Sequence, residues 1–166
     1  MSLEKAVPAG DESLDRLVRL FEQTNEYFQQ KSAQSINRNL VIRNWLLGCY
    51  IVEFEQHGAE RARHGEGLIK GLAKKLKEKR FRGGSLSSLK QIRAFYLANR
   101  EIGQTPSGFL SDASSSPENT AILTRVSESL PLSWSHYVTL LSIDDQSERR
   151  FYEIEASQNN WGVREL

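Results

Sequence analysis

The chain is 166 residues long and 39% apolar, which fits a single domain. A chain of this length can bury a core without help from disulfides or metals. One cysteine and three histidines exclude a disulfide framework and a multi-cysteine zinc site, so we expect no metal and no cofactor. The longest apolar run, Trp45 to Val52, is far shorter than the roughly 20 residues of a membrane span. With no leader-like start, the sequence favours a cytoplasmic protein with no membrane partner.

The net charge of +1 hides a strong separation of charge along the sequence. Residues 1–30 have a net charge of −3 and residues 31–57 a net charge of +1. Residues 58–100 carry 12 basic and 3 acidic side chains, a net charge of +9, whereas residues 101–166 carry 4 and 10, a net charge of −6. A strongly basic block inside a nearly neutral protein indicates an acidic partner such as nucleic acid.

Apolar residues recur at helical spacing along most of the chain, and no stretch alternates for long enough to predict a strand. The predicted fold class is therefore all-α, with a single helical domain over residues 13–166. Residues 1–12 are expected to be a disordered or artificially added N-terminus. The predicted helices cover approximately residues 14–28, 35–56, 67–80, 85–100, 117–128, 134–141 and 145–157.

Capping and turn residues set several of these boundaries. Gly83 and Gly84 predict a turn, and Ser85 is placed to cap the helix that follows it. Ser133 is expected to cap the helix that begins at residue 134. Asp145 opens the last predicted helix, with a glutamate three residues later at the spacing of a capping box.

Two segments are predicted from composition. Residues 105–119 are rich in Ser, Gly and Pro, which is typical of a mobile surface loop, and Ser116-Pro117 has the pattern of a helix start. Residues 161–166 look like the first turns of a further helix, so we expect the chain to be the N-terminal piece of a longer protein.

The basic block contains two predicted helices joined by the glycine turn, which is the pattern of a helix-turn-helix. In such a unit the second helix enters the DNA major groove and the first crosses the backbone. Lys and Arg neutralise phosphates or donate to guanine, Gln can pair with adenine, and Ser contacts either phosphate or base. The side chains predicted to contact flanking phosphates are Lys70, Lys74, Lys77, Arg80 and Arg82. The side chains predicted to approach the groove are Ser87, Lys90, Gln91 and Arg93.

No set of residues predicts an active site, so we expect no catalytic residue in this chain. Cys49 lies in the apolar centre of its helix, where a cysteine behaves as a small hydrophobe. In the segment 133–137, which contains two serines and His136, a serine–histidine pair two residues apart would point to different sides of a helix, which argues against a hydrolase pair. No glycine-rich phosphate loop follows a strand.

The aromatic residues near the end of the chain allow two interpretations. One is a mixed basic and aromatic patch, formed by Arg149, Arg150, Tyr152 and Trp161. The other, which we favour, is a second small core formed by Trp134, Tyr137, Phe151 and Trp161.

Several strings in this sequence resemble the N-terminal domain of the YhcG-like bacterial proteins, a family of unknown function. The most specific is Leu132-Ser133-Trp134-Ser135-His136-Tyr137; the others are Glu148-Arg149-Arg150-Phe151-Tyr152, Trp161 to Leu166, and Leu86, Ser88-Leu89 and Arg93-Ala94-Phe95-Tyr96. The resemblance covers roughly residues 35–166. It implies a DNA-targeting module that precedes a nuclease domain of the PDDEXK superfamily, whose catalytic residues would lie outside this chain.

A weaker similarity is to the central DNA-binding region of ParB-type partition proteins. There, a helix-turn-helix is followed by a Ser-x-His helix and a segment with a Val-Arg string. The order here is the same, with Ser135-His136 and Val163-Arg164 following the basic helices. This similarity supports Leu68 to Arg100 as the DNA-reading unit.

Two rival functions remain open at this point. The first is a protein-interaction or homodimerisation domain that uses the aromatic C-terminal helices, with the basic face incidental. The second is a stand-alone enzyme, which would require a pocket with converging acidic groups of perturbed pKa.

Overall fold

The computed structural model describes residues 10–29, 36–57, 65–102 and 120–166, and all of its regular elements are helical. The helices are α1 (Gly10–Gln29), α2 (Ile36–His57), α3 (Gly65–Glu78), α4 (Leu86–Asn99), a short 3₁₀ helix (Arg100–Ile102), α5 (Thr120–Ser129), α6 (Trp134–Leu140) and α7 (Gln146–Gln158). The described residues contain no strand. The all-α prediction is therefore confirmed, and the predicted helices match these bounds within about four residues.

Helix α2 is the centre of the fold, and it contacts α1, α4, α5 and α6. Its apolar residues are buried around nearly its whole circumference, which is the expected pattern for a core helix. Gly48 permits the closest contact with α4, because a Cβ atom there would lie 2.6 Å from the Ile92 carbonyl oxygen. Trp45 packs edge-on against Tyr96 of α4.

Helices α3 and α4 are joined by residues 79–85, a connection longer than the three or four residues usual in a helix-turn-helix. Leu72 and Leu76 of α3 are fully buried. Gly83 has φ of +79°, a left-handed conformation that favours glycine. Ser85 caps α4 as predicted, and its Oγ accepts a hydrogen bond from the Ser88 amide at 3.2 Å.

Helix α6 packs against both α2 and α4, α5 packs against α2, and α7 packs against α6. Phe95 of α4 forms the contact with α6, because its ring packs against Trp134 and Tyr137 at centroid distances of 5.0 Å. Asp145 caps α7 as predicted, and its Oδ1 accepts a hydrogen bond from the Glu148 amide at 2.7 Å.

The structure differs from the predictions in two places near the end of the chain. Phe151 was expected in a second small core, but 56% of its surface is exposed, whereas Tyr137 is buried and Trp134 and Trp161 pack against the core. Residues 161–166 form a turn rather than a helix, in which the Glu165 amide donates to the Gly162 carbonyl. The predicted mobile loop and the Ser116-Pro117 helix start lie outside the described residues.

None of the helices in the described part of the chain combines the length and the apolar character needed to cross a membrane.

Candidate nucleic-acid interface

The outer face of α3 carries a row of lysines. Lys70, Lys74 and Lys77 are spaced by four and three residues, which places them on one side of a helix, and all three are exposed. Leu72 and Leu76 occupy the opposite, buried side. The same amphipathic pattern that attaches α3 to the core therefore directs these three charges to solvent.

Two other lysines of this region face α1 instead. The Lys75 Nζ lies 2.8 Å from the Asp15 Oδ1, and the Lys79 Nζ lies 3.5 Å from the Glu22 Oε1. The hydrogen bond from Lys75 lowers the pKa of the Asp15 carboxyl below its usual value. By contrast, Lys70, Lys74 and Lys77 have no carboxylate within 4.0 Å among the described residues.

The connection between α3 and α4 adds two exposed arginines, Arg80 and Arg82. Arg80 has φ of +55°, which turns the chain sharply after α3. Neither guanidinium has a carboxylate partner in the described part of the chain. Phe81, between them, turns inward and packs against the buried Phe21 at a ring-centroid distance of 5.8 Å.

Arg43 of α2 supports this connection from inside the protein. Its guanidinium lies 5.8 Å from the centre of the Phe81 ring, and its Nη1 donates to the Asn25 Oδ1 at 3.0 Å. Burial lowers the pKa of Arg43, but an arginine remains charged at any physiological pH. No carboxylate of the described residues pairs with it, so it adds uncompensated positive charge beneath the connection.

Part of α3, the connection and the start of α4 enclose a concave surface that we call the α3–α4 hollow. It is lined by Ala73, Lys74, Lys77, Arg80, Phe81, Gly83, Gly84, Ser85, Leu86 and Ser88. Its larger apolar members are partly buried, whereas its three cations are exposed. The hollow also contains the N-terminal end of α4, where backbone N–H groups and the helix dipole favour negative charge.

Helix α4 exposes only a narrow strip. Ser87, Lys90 and Ala94 are exposed, and Gln91 is half-buried at the edge of this strip. Arg93 lies on another side and forms a two-pronged ion pair with Glu55 of α2, with Nε–Oε1 and Nη2–Oε2 distances of 2.8 Å. This hydrogen-bonded pair raises the pKa of Arg93.

The structure thus brings part of the predicted set together. Lys74, Lys77 and Arg80 line the hollow, and Ser87 and Lys90 are exposed on the helix that begins there, whereas Arg93 is engaged with α2. Sequence reasoning missed Arg43, because it lies outside the basic block in an apolar helix, and no local pattern distinguishes it from an exposed arginine.

A serine–histidine contact occurs in α6, contrary to the expectation for residues 133–137. The Ser133 Oγ lies 2.6 Å from the His136 Nδ1, because Ser133 occupies the N-cap and its side chain turns back over the first turn. The other ring nitrogen, Nε2, lies 2.8 Å from the Trp161 carbonyl oxygen. A carbonyl only accepts, so Nε2 donates to it, and in the neutral imidazole Nδ1 then accepts from the serine hydroxyl. The contact therefore ties the C-terminal segment to α6.

Other titratable groups have structural partners. The buried Glu153 accepts from the Tyr137 hydroxyl and from Arg150, each at 3.0 Å. Burial raises the pKa of the Cys49 thiol to about 12, so it is a thiol and not a reactive thiolate. No group of three or more His, Cys, Asp or Glu side chains among the described residues is placed to hold a metal ion.

Comparison with known proteins places the chain in a family. Residues 21–166 match the family described as the DUF1016 N-terminal domain. A protein of Escherichia coli (strain K12) named Putative nuclease YhcG is 35% identical over 175 aligned residues, which cover 99% of this chain and 46% of that protein. This chain therefore spans less than half the length of that relative. No solved structure matches this chain. The chain belongs to the family of DUF1016 N-terminal domains.

Proposed function

We propose that this domain binds duplex DNA through the α3–α4 hollow and the lysine row of α3, and that it serves as the DNA-targeting module of a larger nuclease-family protein. The observation that carries the proposal is the convergence of Lys74, Lys77 and Arg80 on one concave surface, with no described carboxylate within 4.0 Å to neutralise them. Such a surface favours phosphate oxygens, which supply most of the affinity of proteins for DNA.

In this proposal the basic residues divide by role. Lys70, Lys74, Lys77, Arg80 and Arg82 contact phosphates on both sides of the hollow. Helix α4 acts as the second helix of a helix-turn-helix with a long connection, and it offers Ser87, Lys90 and Gln91 to the groove. Arg93 joins them only by exchanging Glu55 for a phosphate or a base. Phosphate contacts therefore outnumber base contacts, so affinity depends strongly on salt and weakly on sequence.

The nuclease context is supported by the E. coli relative, whose name describes a nuclease and whose length is more than twice the part matched here. We infer that the catalytic residues of such a protein lie outside this domain, which would bring them to DNA in the cytoplasm. The weak ParB similarity agrees with a helical DNA-binding role but adds no residue to the site.

The direct test is fluorescence anisotropy of a labelled duplex titrated with the domain at several salt concentrations. With about five phosphates contacted, the logarithm of the association constant should fall with the logarithm of salt concentration with a slope of about −4 to −5. Absence of binding at about 50 mM salt, where electrostatic binding is strongest, would overturn the proposal.

Lys77 and Lys79, two residues apart in the sequence, provide a matched pair of variants. Lys77→Gln should weaken binding and reduce the salt slope by about 1, because one phosphate contact is lost. Lys79→Gln removes the same charge two residues away, but Lys79 faces Glu22 of α1, so binding should change little. Equal effects of the two substitutions would mean that net charge, not the proposed surface, determines binding.

A second pair of substitutions tests the role of α4. Lys90→Ala with Gln91→Ala should leave phosphate-driven affinity within about tenfold but reduce any preference between duplex sequences. If the sequence preference is unchanged, α4 does not contact the groove, although the proposed phosphate-binding surface would still stand.

A further inference from the structure

A second surface, on α7, is unused by the proposed function. Phe151 and Ile154 are 56% and 39% exposed, and with Val163 they are the exposed large hydrophobic residues of the described chain. Ser147, Phe151, Ile154 and Gln158 are all exposed and follow helical spacing along one side of α7, which we call the α7 ridge. Aromatic side chains are enriched at protein interfaces relative to the rest of a protein surface, which makes this side of α7 a candidate interaction surface.

Three exposed carboxylates, those of Asp144, Asp145 and Glu148, lie at the start of α7, where the α7 ridge begins. The two arginines of this helix are occupied, because Arg150 pairs with Glu153 and Arg149 donates to the Ile143 carbonyl oxygen at 2.7 Å. The ridge is thus an exposed apolar strip near exposed carboxylates, and its Ile154 and Gln158 also line a cavity beside α5.

The α3–α4 hollow carries exposed charge of the opposite sign. It is concave, its partly buried apolar residues are Ala73, Phe81 and Leu86, and its exposed charges are all positive. An aromatic ring seated in it would contact the apolar residues and the methylene stems of lysines, with the ammonium groups near the ring face or near carboxylates.

We propose that the α7 ridge of one copy docks in the α3–α4 hollow of a second copy of this chain. The argument for this occupant is complementarity of charge between two surfaces that the same chain carries, each of which also includes exposed or half-buried apolar side chains. The contact is head-to-tail, since each copy offers a different surface. A dimer formed this way leaves one hollow and one ridge open, so further copies can add.

The proposed contact covers the same cations that are proposed to bind DNA. A second copy and a DNA duplex therefore exclude each other at the hollow, and self-association holds the domain in a state that does not bind DNA. The competition between a second copy and DNA rests on the proposed DNA-binding function, whereas the proposed self-association does not depend on it.

The first experiment is sedimentation velocity of the domain over about a hundredfold range of concentration at about 50 mM and about 500 mM salt. We expect the mean mass to rise above that of a monomer with concentration at low salt, and less so at high salt. A monomer at every concentration at low salt would overturn the proposal and would leave the ridge to a different protein.

Two variants separate the two surfaces. Phe151→Gln with Ile154→Gln disables the ridge, and Lys74→Glu with Lys77→Glu disables the hollow; all four side chains are exposed, so the fold is expected to persist and is checked by circular dichroism. Each variant alone should be monomeric. Lys70→Glu, on the same row of α3 but outside the hollow, is the matched control and should associate like the unaltered chain.

Mixing the two variants gives the decisive outcome. One retains an intact hollow and the other an intact ridge, so the mixture should form a 1:1 complex that grows no further. A mixture that stays monomeric, or a single variant that still associates, would overturn the proposed pairing.

The ridge variant also keeps the two proposals apart. It has an unaltered basic surface, so it should bind labelled duplex at least as tightly as the unaltered chain. If it binds no DNA yet the mixture still forms the 1:1 complex, the DNA proposal fails and self-association stands; if it binds DNA and the mixture stays monomeric, the reverse holds.

Discussion

At the scale of single residues, whether a basic side chain can bind a partner molecule depends more on the acidic residues next to it in the fold than on its position in the sequence. Lys75 and Lys77 are two residues apart, yet one is paired with Asp15 and the other is exposed beside the hollow. The sequence predicted the helical face of each lysine, but not which neighbouring helix carries an acid. Arg93 shows the same limit, because Glu55 is 38 residues away in the chain.

Gly48 is the residue at which a minimal substitution should be most disruptive. Gly48→Ala would place a Cβ atom 2.6 Å from the Ile92 carbonyl oxygen and from the Tyr96 Cβ, so α2 and α4 must separate. Although alanine is the better helix former, we expect a loss of about 1–3 kcal/mol in the free energy of unfolding. Urea denaturation monitored by circular dichroism measures this change in the free energy of unfolding.

Gly71→Ala is the matched control for this prediction. A Cβ atom at residue 71 would meet only the Leu14 Cδ2 at 3.8 Å, an ordinary contact. This substitution should be neutral or stabilising by up to about 1 kcal/mol. A stabilising effect of Gly48→Ala would show that the α2–α4 contact adjusts freely.

At the scale of helices, capping residues made the boundaries predictable. Ser85, Ser133 and Asp145 all occupy the N-cap positions expected from the sequence, but only Ser85 and Asp145 accept an amide hydrogen bond there, whereas the Ser133 hydroxyl contacts His136. The exposure of Phe151 could not be predicted, because the periodicity of α7 allows either of two faces to be buried. The structure buries the face with Glu153 and Ala156, since Tyr137 supplies a hydrogen bond to that glutamate.

The cap of α7 can be tested by substitution. Asp145→Ala removes the acceptor of the Glu148 amide and should lower the free energy of unfolding by about 0.5–2 kcal/mol. The neighbouring exposed Asp144 has no capping bond from its side chain, so Asp144→Ala removes the same charge as a control and should change stability by less than about 0.5 kcal/mol. Equal losses would assign the effect to charge near the helix start.

At the scale of the whole molecule, charge is separated in space as well as in sequence. The basic cations line the α3–α4 hollow, whereas the acidic residues of the last third include those beside the α7 ridge. The sequence predicted this separation from block charges. It could not predict that Lys74, Lys77 and Arg80 meet on one concave surface, because that follows from how α3, α4 and the connection between them pack in the fold.

His136 is one of the links between the helical body and the C-terminal segment, and its contribution can be tested by substitution. His136→Ala deletes the bonds to Ser133 and to the Trp161 carbonyl, which should cost about 1–3 kcal/mol. Hydrogen exchange should rise about tenfold or more at the Trp161 amide, which bonds to the Ala156 carbonyl, while α1 to α4 keep their protection. Ser135→Ala, an exposed neighbour in the same helix, should leave exchange unchanged. Retained protection of Trp161 in His136→Ala would show that packing of the indole alone holds the segment.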